Sequence, residues 1–193
     1  MAYYRKLAGE KCYLSPIQPE DAELWTAWMN DLEVTVPLGD EAYQPYSLEK
    51  MREEVAGAIR RQEHIFTIVE CATDRPVGRC LLFAIDAVNR SAMLGIVIGE
   101  KSAWNQGLGT EATRLLLDYA FNLLNLHSVM LGTFEFNRRA IRVYEQVGFQ
   151  KIGVRREARI IAGKAWDVVL MDILEDEFRA RWPSVCGAAE LEA

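Results

Sequence analysis

The sequence predicts one α/β domain, α+β in layout: a mixed, mostly antiparallel twisted sheet of about seven strands, flanked by about four helices. Three observations point there. The chain has 193 residues, 50% of them hydrophobic and 26% charged, the size and balance of one folded domain. Three β-rich runs follow one another between residues 66 and 99, separated by short turns, as in an antiparallel meander. Beyond residue 100 strand and helix patterns alternate, with no internal repeat and no linker.

The elements follow in order. Residues 12–17 read as a short strand closed by Pro16. Pro19 opens a helix with Glu20, Asp21 and Glu23 near its positive end and an apolar stripe of Leu24, Trp25, Trp28 and Met29. Residues 31–46, with Pro37, Gly39 and Pro45, read as a loop. Ser47 is placed to cap a helix that carries Leu48, Met51, Val55 and Ile59 on one face. Strands are predicted over 66–71, 77–85 and 91–99, with turns at 73–76 and 86–90. A strong helix covers 110–124, then a strand 127–136. Asn137 caps a shorter helix that Gly148 ends, with Phe149 as the apolar contact just beyond. Two strands, 150–160 and 165–174, meet at a turn around Ala162-Gly163. The domain is expected over 1–182, with a frayed tail over 183–193.

Composition excludes several functions. A net charge of −6 is the wrong sign for a nonspecific nucleic-acid binder. Cys12, Cys71, Cys80 and Cys186 form no C-x-x-C pair, and His64 and His127 are the only histidines, so no metal site is expected. The N-terminus has no apolar signal core and no window has the length of a membrane span. The expected location is cytoplasmic, with no membrane or nucleic-acid partner.

The sharpest local feature is Gln106-Gly107-Leu108-Gly109-Thr110-Glu111-Ala112, between a strand and a helix. Such a loop offers free backbone N–H groups to an anion, and a pyrophosphate is the natural guest. The spacing Gly107-x-Gly109-x-x-Ala112 also fits a dinucleotide-binding turn, with Glu135 at the end of the next strand as ribose ligand. Against that, Glu100–Gln106 separate the strand from the first glycine, and the preceding strands read as a meander.

The segment Asn137-x-x-Ala140-Ile141-x-x-Tyr144-x-x-x-Gly148-Phe149 closely resembles a motif of the GNAT superfamily of acyl-CoA-dependent N-acetyltransferases. The glycine loop resembles that superfamily's pyrophosphate loop, although its first position is Trp104 instead of Gln or Arg. Trp104 followed by Thr110-Glu111-Ala112 is similar to the branch with ribosomal-protein N-terminal acetyltransferases and spermidine acetyltransferase. The resemblance covers about residues 10–175.

It implies a single acyl-CoA N-acyltransferase domain with splayed central strands and acetyl-CoA as cosubstrate, without a metal. Backbone groups of Val97, Ile98 and Gly99 would hold the pantetheine arm, those of Gln106, Gly107, Leu108, Gly109 and Thr110 the pyrophosphate, and Asn137 the arm as well. Tyr144 would be the general acid, and a backbone N–H near Ile98 would face the developing oxyanion. The family's strand glutamate is replaced by Met93, leaving Glu135, Asp86 and Glu33 as candidate bases, of which Glu135 is carried forward.

Residues 20–54 hold ten acids against Lys50 and Arg52. This suggests a cationic primary amine as acceptor, a polyamine, an aminoglycoside-like sugar or a basic peptide N-terminus, with Glu33 and Asp40 as its contacts. Arg155, Arg156 and Arg159 cut the other way. Pairing of two copies through an exposed sheet edge is a further expectation. Two alternatives stay open: a non-catalytic acyl-CoA-binding module and a nucleotide-dependent oxidoreductase.

Overall fold

The computed structural model describes residues 3–185, so most of the expected tail, 186–193, lies outside the described residues, Cys186 included. Hydrogen bonding orders eight strands as β1-β2-β3-β4-β5-β6-β8-β7 in one mixed sheet. The chain divides into two compact units, residues 3–81 with 96–112 and residues 82–95 with 113–185.

The first unit begins with a tight hairpin, β1 (Leu7–Ala8) against β2 (Cys12–Pro16), Leu7 opposite Leu14. β3 (Ile65–Glu70) pairs antiparallel with β2, and β4 (Arg75–Asp86) antiparallel with β3. Helices α1 (Asp21–Met29) and α3 (Leu48–Arg61) share one apolar cluster of Trp25, Trp28, Met29, Met51 and Val55, completed by Val97. The Ser47 hydroxyl accepts the Lys50 N–H at 3.2 Å, and Gln62 ends α3 at φ +53°, as a cap and a left-handed stop should.

The segment 31–46 is more ordered than a loop. It holds a one-turn helix α2 (Leu32–Thr35), capped by Asp31, and a 3₁₀ turn Asp40–Tyr43. The Asn30 side chain closes it by donating to the Tyr46 carbonyl at 2.8 Å and accepting the Tyr46 N–H at 3.2 Å.

In the second unit β6 (Ser128–Phe134), β8 (Lys164–Leu174) and β7 (Gln150–Ile161) pair antiparallel, with register shifts in β7 between Lys151 and Gly153 and between Arg155 and Arg159. β5 (Ser91–Ile98) pairs with β6 in parallel, and only over Ser91–Met93 and Ser128–Met130. Among the described residues a short parallel ladder beside antiparallel pairs stands where a dinucleotide fold requires a doubly wound sheet. α4 (Leu108–Asn122) buries Leu115, Leu116, Leu117, Ala120 and Phe121. The helix stops at Asn122, two residues short of the expected 124, and Leu123 just beyond it is exposed. α5 (Arg138–Val147) buries Tyr144 and Val147, while Ala140 and Ile141 are only half-buried. The sequence reading had no counterpart for α6 (Glu175–Arg181), whose Phe178 ring sits 5.5 Å from that of Phe121.

Asp21 is not an exposed helix-end charge. It is fully buried and accepts from the Tyr3 hydroxyl at 2.7 Å, the Gln18 N–H at 2.8 Å and the Thr67 hydroxyl at 2.6 Å. Asp21→Ala leaves those donors unmet, and each hydrogen bond to a charged group contributes roughly 1.5–3 kcal/mol. The variant should lose about 3 kcal/mol or more in a urea titration. A loss below about 1 kcal/mol contradicts this role.

Candidate functional site

The glycine loop lies wholly in the first unit and is tied down at three points. At its start, the Trp104 indole N–H donates to the Ile98 carbonyl at 2.7 Å, and the ring lies against the α1–α3 core. Tryptophan at this position pins the loop to the end of β5. In the middle, Asn105 and Gly107 both turn through positive φ, +61° and +84°, and the Gln106 amide holds the Ser102 carbonyl at 2.7 Å. At its end, the Glu111 N–H closes on the Gly107 carbonyl at 3.1 Å as α4 starts, two residues before the predicted helix.

The third tie is made by residues about a hundred positions apart. The Glu111 carboxylate accepts the backbone N–H groups of Glu10, Lys11 and Cys12 at 3.0, 2.7 and 2.7 Å. Gly9 is required beside it, because a Cβ there would stand 2.9 Å from the Cys12 carbonyl oxygen as well as 2.6 Å from the bonded carboxyl carbon. Burial alone would raise the Glu111 pKa, but the N–H bonds from Cys12, Glu10 and Lys11 outweigh it and hold the group below its usual 4.5. Lys11 reaches the loop itself, its ammonium donating to the Gln106 carbonyl at 3.0 Å.

The two loop glycines differ. Gly107 needs its positive φ. At Gly109 φ is not positive, and a Cβ would meet Ile98 Cγ1 at an ordinary 3.7 Å. Neither backbone strain nor packing among the described residues asks for glycine at 109. Just upstream, Gly99 has no room for a Cβ, because the Trp28 ring lies 2.2 Å from where it would stand.

Several acids of the segment 20–54 are engaged by partners within the protein. Glu33 and Asp31 both bind Lys101, at 3.0 and 2.8 Å, and Asp31 is held below the usual carboxylate range by that ammonium. Glu23 pairs with Arg52, and Glu54 with Lys50. Asp40 is exposed at the start of its 3₁₀ turn. Asp86 accepts from the N–H groups of Val88 and Asn89, a turn-forming role.

In the second unit, Asn137 accepts the Ala140 N–H at 3.1 Å, the cap that its motif position predicts. Tyr144 is 8% exposed and meets Phe149 edge-on, ring centroids 5.7 Å apart. Burial pushes its pKa up to about 12. Gly148 ends α5 at φ +125°. Glu135 bridges strand ends: its N–H donates to the Asp167 carbonyl, and its Oε1 accepts the Asp167 N–H at 3.3 Å. Arg159 lies over the Phe134 ring, 4.9 Å from its centroid. Arg155 and Arg156, on the same strand, are exposed.

Cys12 and Cys80 are fully buried, and burial raises both thiols, so they act as core side chains. Among the described residues no group of three or more His, Cys, Asp or Glu is arranged to hold a metal, and no helix is long and apolar enough to cross a membrane. Sequence reasoning missed Lys11, Lys101 and the role of Glu111, because each acts through partners distant in sequence. The one available signal was the acid Glu111 in the first turn of the helix after the loop.

Comparison with known proteins supplies the rest. Residues 11–150 match the profile of the family described as Acetyltransferase (GNAT) domain. The probable N-acetyltransferase YjcK of Bacillus subtilis is 30% identical over 180 residues, covering 89% of this chain and 98% of that protein. The spermidine N(1)-acetyltransferase of Vibrio cholerae is 34% identical over 116 residues, 59% of this chain and 65% of that protein. Among solved structures, spermidine N-acetyltransferase from Vibrio cholerae in complex with CoA and spermine shares the fold, with a TM-score of 0.79 at 24% identity, over 89% of this chain and 99% of that one. A chimera of that enzyme and hSSAT gives a TM-score of 0.78 at 25% identity, over 89% and 100%.

The Glu111 tie sets an acid limit. A carboxylate with a lowered folded pKa contributes stability that is complete above its unfolded value near 4.5 and is lost as pH falls through the folded value. Glu111→Ala should therefore be destabilised by about 2–4 kcal/mol at neutral pH. The gap to wild type should shrink below about pH 4, as measured by urea titrations across pH. A gap that does not change with pH contradicts the assignment.

Proposed function

This chain belongs to the GNAT acetyltransferase family, and on that membership we propose that it transfers an acetyl group from acetyl-CoA to the primary amine of a cationic small molecule. The observation that carries the reading is the glycine loop. Gly109 is a glycine that the protein's own packing does not need, in a loop whose backbone is held open by Trp104 and Glu111. A ligand that must approach that backbone closely accounts for it.

Bound acetyl-CoA supplies the acyl thioester that a neutral amine attacks, with the C–S bond breaking as the C–N bond forms. The chain's own part is binding and proton handling. N–H groups of Gln106 through Thr110 take the pyrophosphate, and backbone groups of Val97, Ile98 and Gly99 take the pantetheine arm. Asn137 serves the arm besides capping α5. Tyr144 gives its proton to the departing sulfur. Glu135 is the proposed base for the amine, through its second carboxylate oxygen or a water.

The acceptor reading rests on the relatives named spermidine acetyltransferases and on the acidic composition of 20–54, with Asp40 and Glu33 as contacts. Glu33 would have to share its charge with Lys101. The test is thiol release from acetyl-CoA over a panel of amines. Turnover with spermidine or another polyamine is expected, with a Michaelis constant that rises with ionic strength. A neutral or acidic best acceptor contradicts the reading.

Gly109→Ala should fold, since its Cβ meets Ile98 Cγ1 at an ordinary 3.7 Å, and Gly109→Val should lose most affinity for CoA while a thermal melt shows that it stays folded. Unchanged CoA binding by calorimetry removes this site.

Tyr144→Phe should lower kcat on the order of 10²-fold. That is the low end for a general acid, because a phenol near 12 lies well above a thiol's reference value of about 8.5. For the same reason no alkaline fall in wild-type kcat below about pH 10 should belong to this residue. Wild-type turnover in the variant, under conditions where chemistry limits the rate, moves the role elsewhere.

A further inference from the structure

We propose that the Lys11 ammonium, delivered from the β1–β2 turn, is a direct ligand of the acetyl-CoA pyrophosphate. The inference rests on the acetyl-CoA reading above. Lys11 lies 95 residues before the loop it touches, outside both motifs that carry the family resemblance.

Its placement is specific. The ammonium bonds the Gln106 carbonyl at 3.0 Å and stands 2.8 Å from the position a Cβ on Gly107 would take. It therefore lies directly on the loop backbone, beside the glycine that turns at φ +84°. Among the described residues its bonded partner is a neutral carbonyl, so a full positive charge stays available there. An ammonium bonded to one carbonyl has two further N–H donors.

The backbone that carries Lys11 is fixed to the same loop-and-helix segment. Glu111, in the first turn of α4, accepts the Lys11 N–H at 2.7 Å and those of the residues on either side. The lysine stem thus starts from an anchored Cα and needs to order only its own rotamers. In a chain of net charge −6, a cation held over the glycine loop also offsets the field that a pyrophosphate entering the site must meet. The loop N–H groups supply direction and the lysine supplies charge, two parts of one anion site.

The test is CoA calorimetry on the full chain with wild type, Lys11→Met, Lys11→Gln and Lys11→Arg, at low and high salt. Lys11→Gln keeps a donor for the Gln106 carbonyl without the charge, which separates loop bracing from phosphate binding. Lys11→Met and Lys11→Gln should both weaken CoA on the order of tenfold, Lys11→Arg much less, and the salt dependence of binding should become shallower in the two neutral variants. Dephospho-CoA, which lacks the 3′-phosphate and keeps the pyrophosphate, should show the same loss. Wild-type affinity in Lys11→Gln means that the carbonyl bond alone matters and overturns the proposal. A loss that vanishes with dephospho-CoA assigns the lysine to the 3′-phosphate and overturns it too. A wild-type protein that does not bind CoA removes the acetyl-CoA reading and this inference together. Wild-type binding with every variant unchanged overturns this inference alone.

Discussion

One carboxylate holds the candidate site in shape. Glu111 accepts three consecutive backbone N–H groups, of Glu10 and Lys11 in the turn after β1 and of Cys12 at the start of β2, and it does so from the first turn of α4. A hydrogen bond to a charged group contributes roughly 1.5–3 kcal/mol. The acid satisfies them together. The consequences spread along the loop: Gly9 must be glycine, Lys11 is carried to the Gln106 carbonyl, and α4 begins where its N–H groups follow Gly107 directly. Trp104 fixes the other end of the loop through Ile98. Held at both ends, the backbone needs little reorganisation to receive an anion, which is what makes such donors effective.

Much of the fold was legible because its signals are local. Ser47 caps α3, Asn137 caps α5 and Gly148 ends it, each through contacts within a few residues. Strand runs and their turns, such as Ala162 and Gly163 at positive φ, likewise carry their reasons in neighbouring residues. What was not legible lacks an apolar period. β1 is two residues long, and α6 is built from acids and arginines with Phe178 as its buried side chain. The run Glu175, Asp176, Glu177 followed by Arg179 and Arg181 fits a helix macrodipole and was the signal available.

The site divides the same way. The motif positions Gly107, Gly109, Asn137 and Tyr144 could be picked out by their resemblance to the family's motifs, whereas Lys11, Glu111 and Lys101 act through pairings that no local pattern announces. Charge shows the limit most clearly. Ten acids in 20–54 suggested contacts for a cationic acceptor, yet Asp21 is a buried hydrogen-bond hub and Asp31 and Glu33 share one lysine. Composition counts charges; only the fold says which are already spent on the protein itself.

The most direct measurement is an amide-resolved NMR titration of the full chain with CoA. If the loop held between Trp104 and Glu111 receives the pyrophosphate, the backbone amides of Gln106, Gly107, Leu108, Gly109 and Thr110 should shift together and saturate with one dissociation constant. That response should be lost in Gly109→Val. Saturable binding that leaves these five amides unmoved, or no binding at all, would contradict the assignment.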